Sequence, residues 1–278
     1  MDLNWLQSII YGLFAGLTDI LPVSAQAHKV LILKLFGIRT TSAVLELLIH
    51  FGVFAALYYH CQANLIRMNR ARALARIPKK KRKRPLDVRS LMDWRLLITM
   101  IVPVTLGIIL YQFVAKIQKS FIFISIFLFL NGIILYVPQY LPSGNRDSRT
   151  LSRVEGILMG LGGALSILPG MSAVGVAASI GSVCGVERKF SLNMVLMMNL
   201  AVVFGLGVYD VLTIVENGIG SLSLLILVQN ILSAVSSFLG TTLGIRIMQR
   251  FAEDQGYGMF GIYCWGMALF TFILNLMA

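Results

Sequence analysis

The amino-acid sequence predicts an all-α integral membrane protein with six transmembrane helices and two opposed re-entrant helical hairpins, arranged as an inverted-topology repeat. Its composition leads first to this prediction. Hydrophobic residues make up 57% of the chain and charged residues only 13%, and the mean hydropathy is +0.81. A water-soluble domain carries roughly 25% charged residues, because its surface must be hydrated. The shortage of charge extends along the whole chain except for one loop, so the long apolar runs require lipid around them.

Six apolar stretches are long enough to cross a bilayer, whose hydrocarbon core requires about 20 residues of helix. Four of them are almost purely apolar. The other two contain polar residues, among them Glu46 and His50 in the first and Asn199 and Asp210 in the second. The predicted spans, in chain order, are 42–60, 95–114, 120–138, 190–213, 222–245 and 257–277.

Two further apolar stretches, 3–38 and 154–185, are interrupted near their middle by Pro22 and by Pro169-Gly170. Neither side of either interruption is long enough to cross the membrane alone. Proline breaks a helix because it lacks the backbone donor. In a membrane, unpaired backbone groups are tolerated only inside protein or along a cavity. These stretches therefore predict two re-entrant hairpins.

The two hairpin stretches resemble each other in sequence. The first contains Ile20-Leu21-Pro22 followed by Ser24-Ala25, and the second contains Ile167-Leu168-Pro169 followed by Ser172-Ala173. Chance is the alternative explanation, since small residues and leucine are common in membrane helices. We interpret the similarity as a repeat within one membrane domain (1–278), with a first half at 1–138 and a second half at 154–278. Paired interrupted segments of this kind indicate a binding site between inverted repeats.

The distribution of basic residues predicts the orientation in the membrane. The loop 61–94 contains six consecutive cations from Lys79 to Arg84, and loops rich in lysine and arginine face the cytoplasm. Counting spans from this loop places 139–153 in the cytoplasm too, so the two hairpins enter from opposite faces. The basic loop is also expected to attract anionic lipid headgroups. Because no nucleic-acid-binding motif accompanies the cluster, we expect no nucleic-acid partner.

The candidate functional residues are polar groups around the two breaks. Asp19, Ser24 and His28 surround the first break, and Ser172 follows the second. A carboxylate, a hydroxyl and an imidazole could serve acid–base or nucleophilic chemistry, and helix N-termini after the breaks would suit a phosphate. Alternatively, Asp19 caps the broken helix and the serines pair with freed backbone groups. The residues predict a site for an anionic or amphiphilic ligand and leave the reaction open.

Two ionisable residues inside predicted spans have equally ordinary explanations. His50 could simply bond a neighbouring backbone carbonyl, and Asp210, near the end of its span, could reach interfacial water. Ionisable residues within spans are costly and are usually functional or paired. We therefore keep both as candidates.

The break motifs resemble those of the bacterial undecaprenyl-diphosphate phosphatases, the bacitracin-resistance protein family. The first family signature, E-G-x-T-E-F-L-P-V-S-S-T-G-H, is similar to the run from Gly16 to Ser24 followed by His28. The second, P-G-x-S-R-S-G, is similar to Pro169-Gly170-Met171-Ser172 with Gly175. Glu46 and Asp210 also fall where the family has acidic residues. The resemblance covers nearly the whole chain in spacing and span order.

This resemblance implies a fold, a location and an activity. It implies a multi-pass protein of the bacterial plasma membrane that hydrolyses the carrier lipid undecaprenyl diphosphate to undecaprenyl phosphate, so that the carrier is recycled for peptidoglycan synthesis. It also implies a divalent cation, Mg or Ca, held by Asp19. The implied catalytic residues are Asp19, Ser24, His28 and Ser172. The implied substrate-binding residues are Thr18, Gln26, Lys29, Glu46, Gly170 and Asp210.

The chain departs from the family motifs at positions that matter for phosphate chemistry. The first motif glutamate is Ala15, and the arginine after the motif serine is Ala173. A Tyr-Arg pair expected in the last span is Tyr263-Cys264. Arginine is well suited to bidentate phosphate binding, and lysine, here Lys29, replaces it only as a point charge. Two hypotheses follow: an active phosphatase, or a non-catalytic binder or translocase of a lipid phosphate. The sequence predicts neither the exact lipid nor the oligomeric state.

Overall fold

The computed structural model describes residues 3–142, 144–219, 223–254 and 256–277. Within these ranges the protein is built from ten α-helices joined by short connections. In chain order they are α1 (Trp5–Ile20), α2 (Ala25–Leu35), α3 (Ala43–Ala75), α4 (Val88–Val114), α5 (Phe121–Tyr136), α6 (Arg153–Ala164), α7 (Ala173–Val183), α8 (Arg188–Asn217), α9 (Leu224–Asp254) and α10 (Gly258–Leu276).

Six of these helices are long and apolar enough to cross a bilayer: α3, α4, α5, α8, α9 and α10. They occur in the predicted order, which confirms the prediction of a multi-pass integral membrane protein. Their outer faces expose large apolar side chains, such as Phe51 on α3, Phe113 on α4 and Leu239 on α9. A water-soluble protein rarely exposes so much contiguous apolar surface, whereas lipid accommodates it.

The basic connection is shorter than the predicted loop 61–94. Helix α3 continues to Ala75 and α4 begins at Val88, so only 76–87 lies between them. The hydropathy pattern ends at the first arginines, but the helix does not, because Cys61, Met68 and Ala71 still form a buried stripe. Pro78 ends it, since the residue before a proline disfavours helical geometry.

Both predicted helix breaks are present. The first separates α1 from α2 at residues 21–24, and the second separates α6 from α7 at residues 165–172. Ser24 accepts a hydrogen bond from the backbone N–H of Ala27 at 3.4 Å. Ser172 accepts one from the N–H of Gly175 at 3.1 Å. Each serine therefore satisfies a donor at the first turn of the helix that follows its break.

The two interrupted stretches contain the same helix-capping features, and the equivalent residues are separated by a constant number of positions. Both α1 and α6 begin with a capping box, in which two side chains and two backbone N–H groups pair reciprocally. Both α2 and α7 begin at a serine cap and are followed by a glycine with positive φ. The paired positions are Asn4 and Ser152, Gln7 and Glu155, Ser24 and Ser172, and Gly37 and Gly185.

The long helices pack in an equally paired way. Helix α1 packs on α9 while α6 packs on α4, and the other principal pairs are α3 with α8, α3 with α9 and α5 with α10. Glycines set the closest approaches. A Cβ added at Gly16 would lie 2.0 Å from the carbonyl oxygen of Ser237 on α9, and one at Gly160 would lie 2.2 Å from that of Met100 on α4. No larger residue fits at either crossing.

The two breaks meet at a single asparagine of α5. Asn131, fully buried, donates to the carbonyl of Pro22 at 3.0 Å and accepts from the N–H of Ser172 at 3.1 Å. The N–H of Gly170 donates to Ser24 Oγ at 3.1 Å. Backbone groups freed by one break are thus paired with the other break or with Asn131, as an apolar interior requires.

Candidate functional site

A cavity of about 680 Å³ lies beside the first break. Its walls come from α1, α2, α3, α4 and α8, together with the second break. The connection between α2 and α3 and the turn after α4 line its mouth, including Arg39 and Lys119. These segments lie at the opposite ends of α3 and α4 from the basic connection 76–87. The cavity therefore opens at the end of the molecule remote from the basic connection.

One wall of the cavity holds a buried ion pair. The Lys29 ammonium donates to Glu46 Oε2 at 2.7 Å. Glu46 Oε1 accepts from the hydroxyl of Tyr11 at 2.6 Å and from that of Thr41 at 2.8 Å. Both Glu46 oxygens are therefore occupied, and the charge of Lys29 is balanced within the protein.

Asp19 lies at the end of α1, directly before the break, and lines the same cavity. Its Oδ2 accepts a hydrogen bond from Asn199 Nδ2 of α8 at 2.9 Å. Its Oδ1 accepts none within the described residues. One carboxylate oxygen thus remains available to a ligand or to water in the cavity.

His50 and Asp210 form the second charged contact of the cavity wall. His50 Nδ1 lies 2.6 Å from Asp210 Oδ2, which links α3 to α8. The two side chains are 11% and 12% exposed, and both line the cavity. His50 therefore does not pair with a carbonyl, and Asp210 pairs with an imidazole; both ordinary explanations were wrong.

The structure places two of the predicted catalytic residues away from the cavity. His28 points from the other side of α2, where its Nε2 lies 2.7 Å from the hydroxyl of Tyr263 on α10 and its Nδ1 lies 2.8 Å from the carbonyl of Ser24. Ser24 is buried and caps α2. Helical geometry explains the separation, since the cavity-facing Lys29 is the next residue and projects about 100° away from His28.

Two predicted substrate-binding residues also lie outside the cavity lining. Thr18 is buried and donates to the carbonyl of Phe14, one turn earlier, at 2.7 Å. Gly170 has φ +111° and packs so closely on α5 that an added Cβ would lie 2.7 Å from the carbonyl oxygen of Ile124. Both residues serve the packing of the breaks. The predicted residues that do line the cavity are Asp19, Gln26, Lys29, Glu46, Ser172 and Asp210.

Ser172 lines the cavity without being activated as a nucleophile. Its hydroxyl accepts from Gly175 N–H and donates to the carbonyl of Leu21 at 3.4 Å. An activated hydroxyl requires a general base within hydrogen-bonding distance, and none of these partners is one. The geometry makes Ser172 a cap that borders the site.

The carboxylates of the cavity do not form a ready ligand set for the divalent cation predicted at Asp19. Within the described residues no three His, Cys, Asp or Glu side chains lie close enough to share a metal ion. Glu46 and Asp210 are engaged by Lys29 and His50. Mg²⁺ and Ca²⁺ require several oxygen ligands at once, so we derive no step through a metal.

Several residues of the cavity and of the junction between the breaks were not predicted. Asn199 appeared only as a polar interruption of its span, although it is the partner of Asp19. Asn131, which joins the breaks, was detectable as an amide inside the very apolar α5. Three cations of the mouth, Lys34, Arg39 and Lys119, resemble ordinary loop charges in sequence. Only the fold shows that they surround one opening.

Comparison with known proteins gives the family. Residues 8–270 match the sequence model of the family described as "Bacitracin resistance protein BacA". The chain belongs to the bacitracin resistance protein family. The expected resemblance is therefore confirmed over nearly the whole chain, including both breaks and all six apolar helices.

Relatives within the bacitracin resistance protein family are similar to this chain end to end. The undecaprenyl-diphosphatase of Methanobrevibacter smithii is 29% identical over 276 residues, covering 96% of both chains. That of Nocardioides sp. is 28% identical, covering 98% of this chain and 96% of the relative. Undecaprenyl-diphosphatase 1 of Shouchella clausii is 26% identical, covering 98% and 97%.

The departures from the family motifs now have a location. Ala173, at the motif arginine, lines the cavity. Ala15, at the first motif glutamate, is buried within α1. Ala173 therefore offers no guanidinium to this cavity, whereas Lys34, Arg39 and Lys119 line its mouth.

Proposed function

We propose that the protein hydrolyses undecaprenyl diphosphate to undecaprenyl phosphate and inorganic phosphate, which returns the carrier lipid to peptidoglycan synthesis. The observation that supports this most is the charged cavity at the motif positions of a chain whose relatives are named undecaprenyl-diphosphatase. The volume of about 680 Å³ is typical of small-molecule sites. It is large enough for a diphosphate headgroup and the first part of its lipid.

The cations of the mouth are the proposed diphosphate ligands. Lys34, Arg39 and Lys119 line the opening, and within the described residues none of them forms an ion pair with a carboxylate. An anionic headgroup approaching the cavity meets these charges before it meets Asp19 or Glu46. They thereby supply the positive charge that Ala173 does not, although only Arg39 offers the planar fork that suits phosphate.

Deeper in the cavity, the proposed roles follow from which atoms remain available. Asp19 Oδ1 accepts a hydrogen bond from the water that attacks the terminal phosphorus. Lys29 and Glu46 form a neutral pair that keeps the wall polar without repelling the anion. Gln26, which donates to the carbonyl of Gln118 at 3.3 Å, fixes the position of the mouth turn beside the site.

The proposed arrangement in the membrane is an inverted repeat with two opposed re-entrant hairpins, α1–α2 and α6–α7. The exchange of packing partners, α1 on α9 and α6 on α4, supports the repeat. We place the basic connection 76–87 in the cytoplasm of a bacterial cell, against anionic headgroups of the plasma membrane. The cavity then opens on the outer face.

A labelling experiment tests this orientation. Single cysteines at Lys81 and at Lys119, in a variant without the native cysteines, are exposed to a membrane-impermeant thiol reagent in intact cells. We expect labelling at position 119 and none at 81 until the cells are opened. Labelling at 81 from outside would reverse the topology and the side on which the cavity opens.

A kinetic experiment tests the function. Purified protein in detergent should release inorganic phosphate from undecaprenyl diphosphate. A charge-assisted hydrogen bond contributes about 1.5 kcal/mol or more, so Lys119→Gln should raise KM about tenfold. Lys116→Gln is the matched control, because Lys116 belongs to the same turn but does not line the cavity. Binding of the lipid without phosphate release would instead support the non-catalytic binder or translocase.

A further inference from the structure

The cavity contains one imidazole, and it is not the one in the family motif. Among the described residues that line the cavity, His50 is the only histidine. His28 is engaged by Ser24 and Tyr263 on the far side of α2. If a histidine takes part in chemistry inside this cavity, it is therefore His50, which does not belong to the family motif.

The hydrogen bonds of His50 leave one ring nitrogen available. Nδ1 is held by Asp210 Oδ2 at 2.6 Å. Nε2 has no hydrogen-bond partner within the described residues, and it is not among the buried polar atoms that lack one. A carboxylate at Nδ1 keeps the proton on that nitrogen, so the neutral ring presents the lone pair of Nε2 to the cavity.

The ring of His50 is in direct contact with one carboxylate of the cavity wall. The titratable and charged groups that line the cavity are Tyr11 and Asp19 of α1, Lys29 and Lys34 of α2, Arg39 before α3, Glu46 of α3, Tyr111 of α4, Lys119 after α4, and Tyr209 and Asp210 of α8. Helix α9 packs on α3 but contributes no described residue to the lining. Lys29 is paired with Glu46, and the carboxylate that contacts the imidazole is that of Asp210.

We propose that His50 is the general base of the reaction and that Asp210 is its positioning residue; this inference rests on the proposed hydrolase function. Nε2 takes a proton from water as the water oxygen bonds to the terminal phosphorus. The bond from that phosphorus to the bridging oxygen breaks, and the bridging oxygen leaves as part of undecaprenyl phosphate. Inorganic phosphate is the other product, and the imidazolium returns its proton to solvent. Water is the nucleophile because Ser172 lies beside no base.

The experiment compares kcat and KM in the wild type, His50→Gln, Asp210→Asn and Asp210→Glu. Loss of a general base lowers kcat by about 10²–10⁴-fold, so His50→Gln should lose activity on that scale with little change in KM. Asp210→Asn should lose part of kcat with little change in KM, and Asp210→Glu, which keeps a carboxylate beside Nδ1, should recover activity. A purely structural pair would not separate kcat from KM in this way.

The controls separate failure of folding from failure of the inference. Binding of a methylene-bridged diphosphate lipid, which cannot be hydrolysed, reports whether His50→Gln is folded; if it is not, the comparison of Asp210→Asn with Asp210→Glu alone decides. Wild-type rates in His50→Gln, or a wild-type kcat in Asp210→Asn, would overturn the inference and leave the hydrolase function intact. A folded wild type that binds the lipid and releases no phosphate would overturn both.

Discussion

The two helix pairs α1–α2 and α6–α7 have similar capping features but different charged residues. Each has a capping box, a serine cap after the break and a glycine that ends the second helix. At the same spacing along the chain, Ile167 and Ala177 occupy the places of Asp19 and Lys29. The features that pack the helices are present twice, whereas the groups that line the cavity are present once.

This difference follows from where each second helix lies. Every residue of α7 from Ala173 to Ser179 is buried, so the helix is enclosed by protein. Helix α2 is less enclosed, and the cavity runs along one side of it past Gln26 and Lys29. A charge in the dry surroundings of α7 would be costly without a partner, whereas on α2 it faces space for water or a ligand. The same arrangement of two helices is therefore packed tightly in α6–α7 and lines the cavity in α1–α2.

The largest expected effect concerns the buried ion pair between Lys29 and Glu46. Lys29→Met leaves Glu46 buried without its cation, which costs about 3–5 kcal/mol and should lower the thermal unfolding midpoint strongly. The double variant Lys29→Met with Glu46→Leu should recover most of that stability, because replacing both charges by apolar groups is often neutral. Thermal unfolding in detergent measures both. A single variant as stable as the wild type would show that the pair is not buried as described.

The second prediction tests the junction between the halves. Asn131→Leu leaves the N–H of Ser172 unpaired, at about 1–3 kcal/mol, and leaves the carbonyl of Pro22 with only the thiol of Cys264 at 3.6 Å. Ser125→Ala is the matched control on the same helix, since Ser125 forms only one bond, to the carbonyl of Ala268 at 2.8 Å. We expect a clearly lower unfolding midpoint for Asn131→Leu than for the control. Equal midpoints would mean that the breaks do not depend on this asparagine.

The sequence was sufficient for the parts of the fold that depend on local patterns. The apolar runs predicted the six long helices, and the prolines predicted both breaks. Both features depend on residues that are close together in the sequence. The apolar run of α3 ends at its first arginines, but the helix itself continues. An arginine can project outward while Met68 on the same helix stays buried. Helices α3, α4, α8 and α9 extend beyond their predicted spans, whereas α5 and α10 are slightly shorter than predicted.

The candidate site was predicted less completely, because its geometry depends on residues far apart in the chain. Asp19 and Asn199, or His50 and Asp210, become partners only when α1, α3 and α8 pack together. Motif similarity selected His28 as a candidate, yet only the direction of its side chain shows that it faces Tyr263. Conversely, His50 had an ordinary explanation until its partner was known.

The third prediction tests whether the two halves pack alike. Gly16→Ala and Gly160→Ala each place a Cβ against a backbone oxygen of the facing helix, and overpacking of this kind costs about 1–3 kcal/mol. We expect similar falls in the unfolding midpoint. Gly266→Ala in α10 is the control, since nothing lies within 4 Å of its added Cβ, and it should be neutral or slightly stabilising. A large effect in one half alone would contradict paired packing.

The smallest expected effect distinguishes the two capping boxes by pH. The Arg146 guanidinium, 2.5 Å from Glu155 Oε1, lowers the pKa of Glu155 to about 2. Because an unfolded glutamate titrates near about 4.3, this contact stabilises the protein above that pH and is lost as the pH falls towards 2. Gln7, the counterpart in α1, does not titrate.

Thermal unfolding of the wild type and Glu155→Gln between pH 7 and pH 3 measures this difference. An ion pair at the protein surface contributes little to stability, so the two midpoints should differ slightly at neutral pH and converge in acid. A difference that grows as the pH falls would contradict the assignment.

The central claim is that the charged cavity beside the first break is a phosphatase site, and one measurement tests it most directly. Inorganic phosphate released from undecaprenyl diphosphate is compared between the folded wild type and Asp19→Asn, which keeps the shape of the side chain and its contact with Asn199. We predict release well above a protein-free blank by the wild type and a rate about 10²-fold lower in Asp19→Asn. Equal rates in the two proteins, or no release by a folded wild type, would contradict the claim.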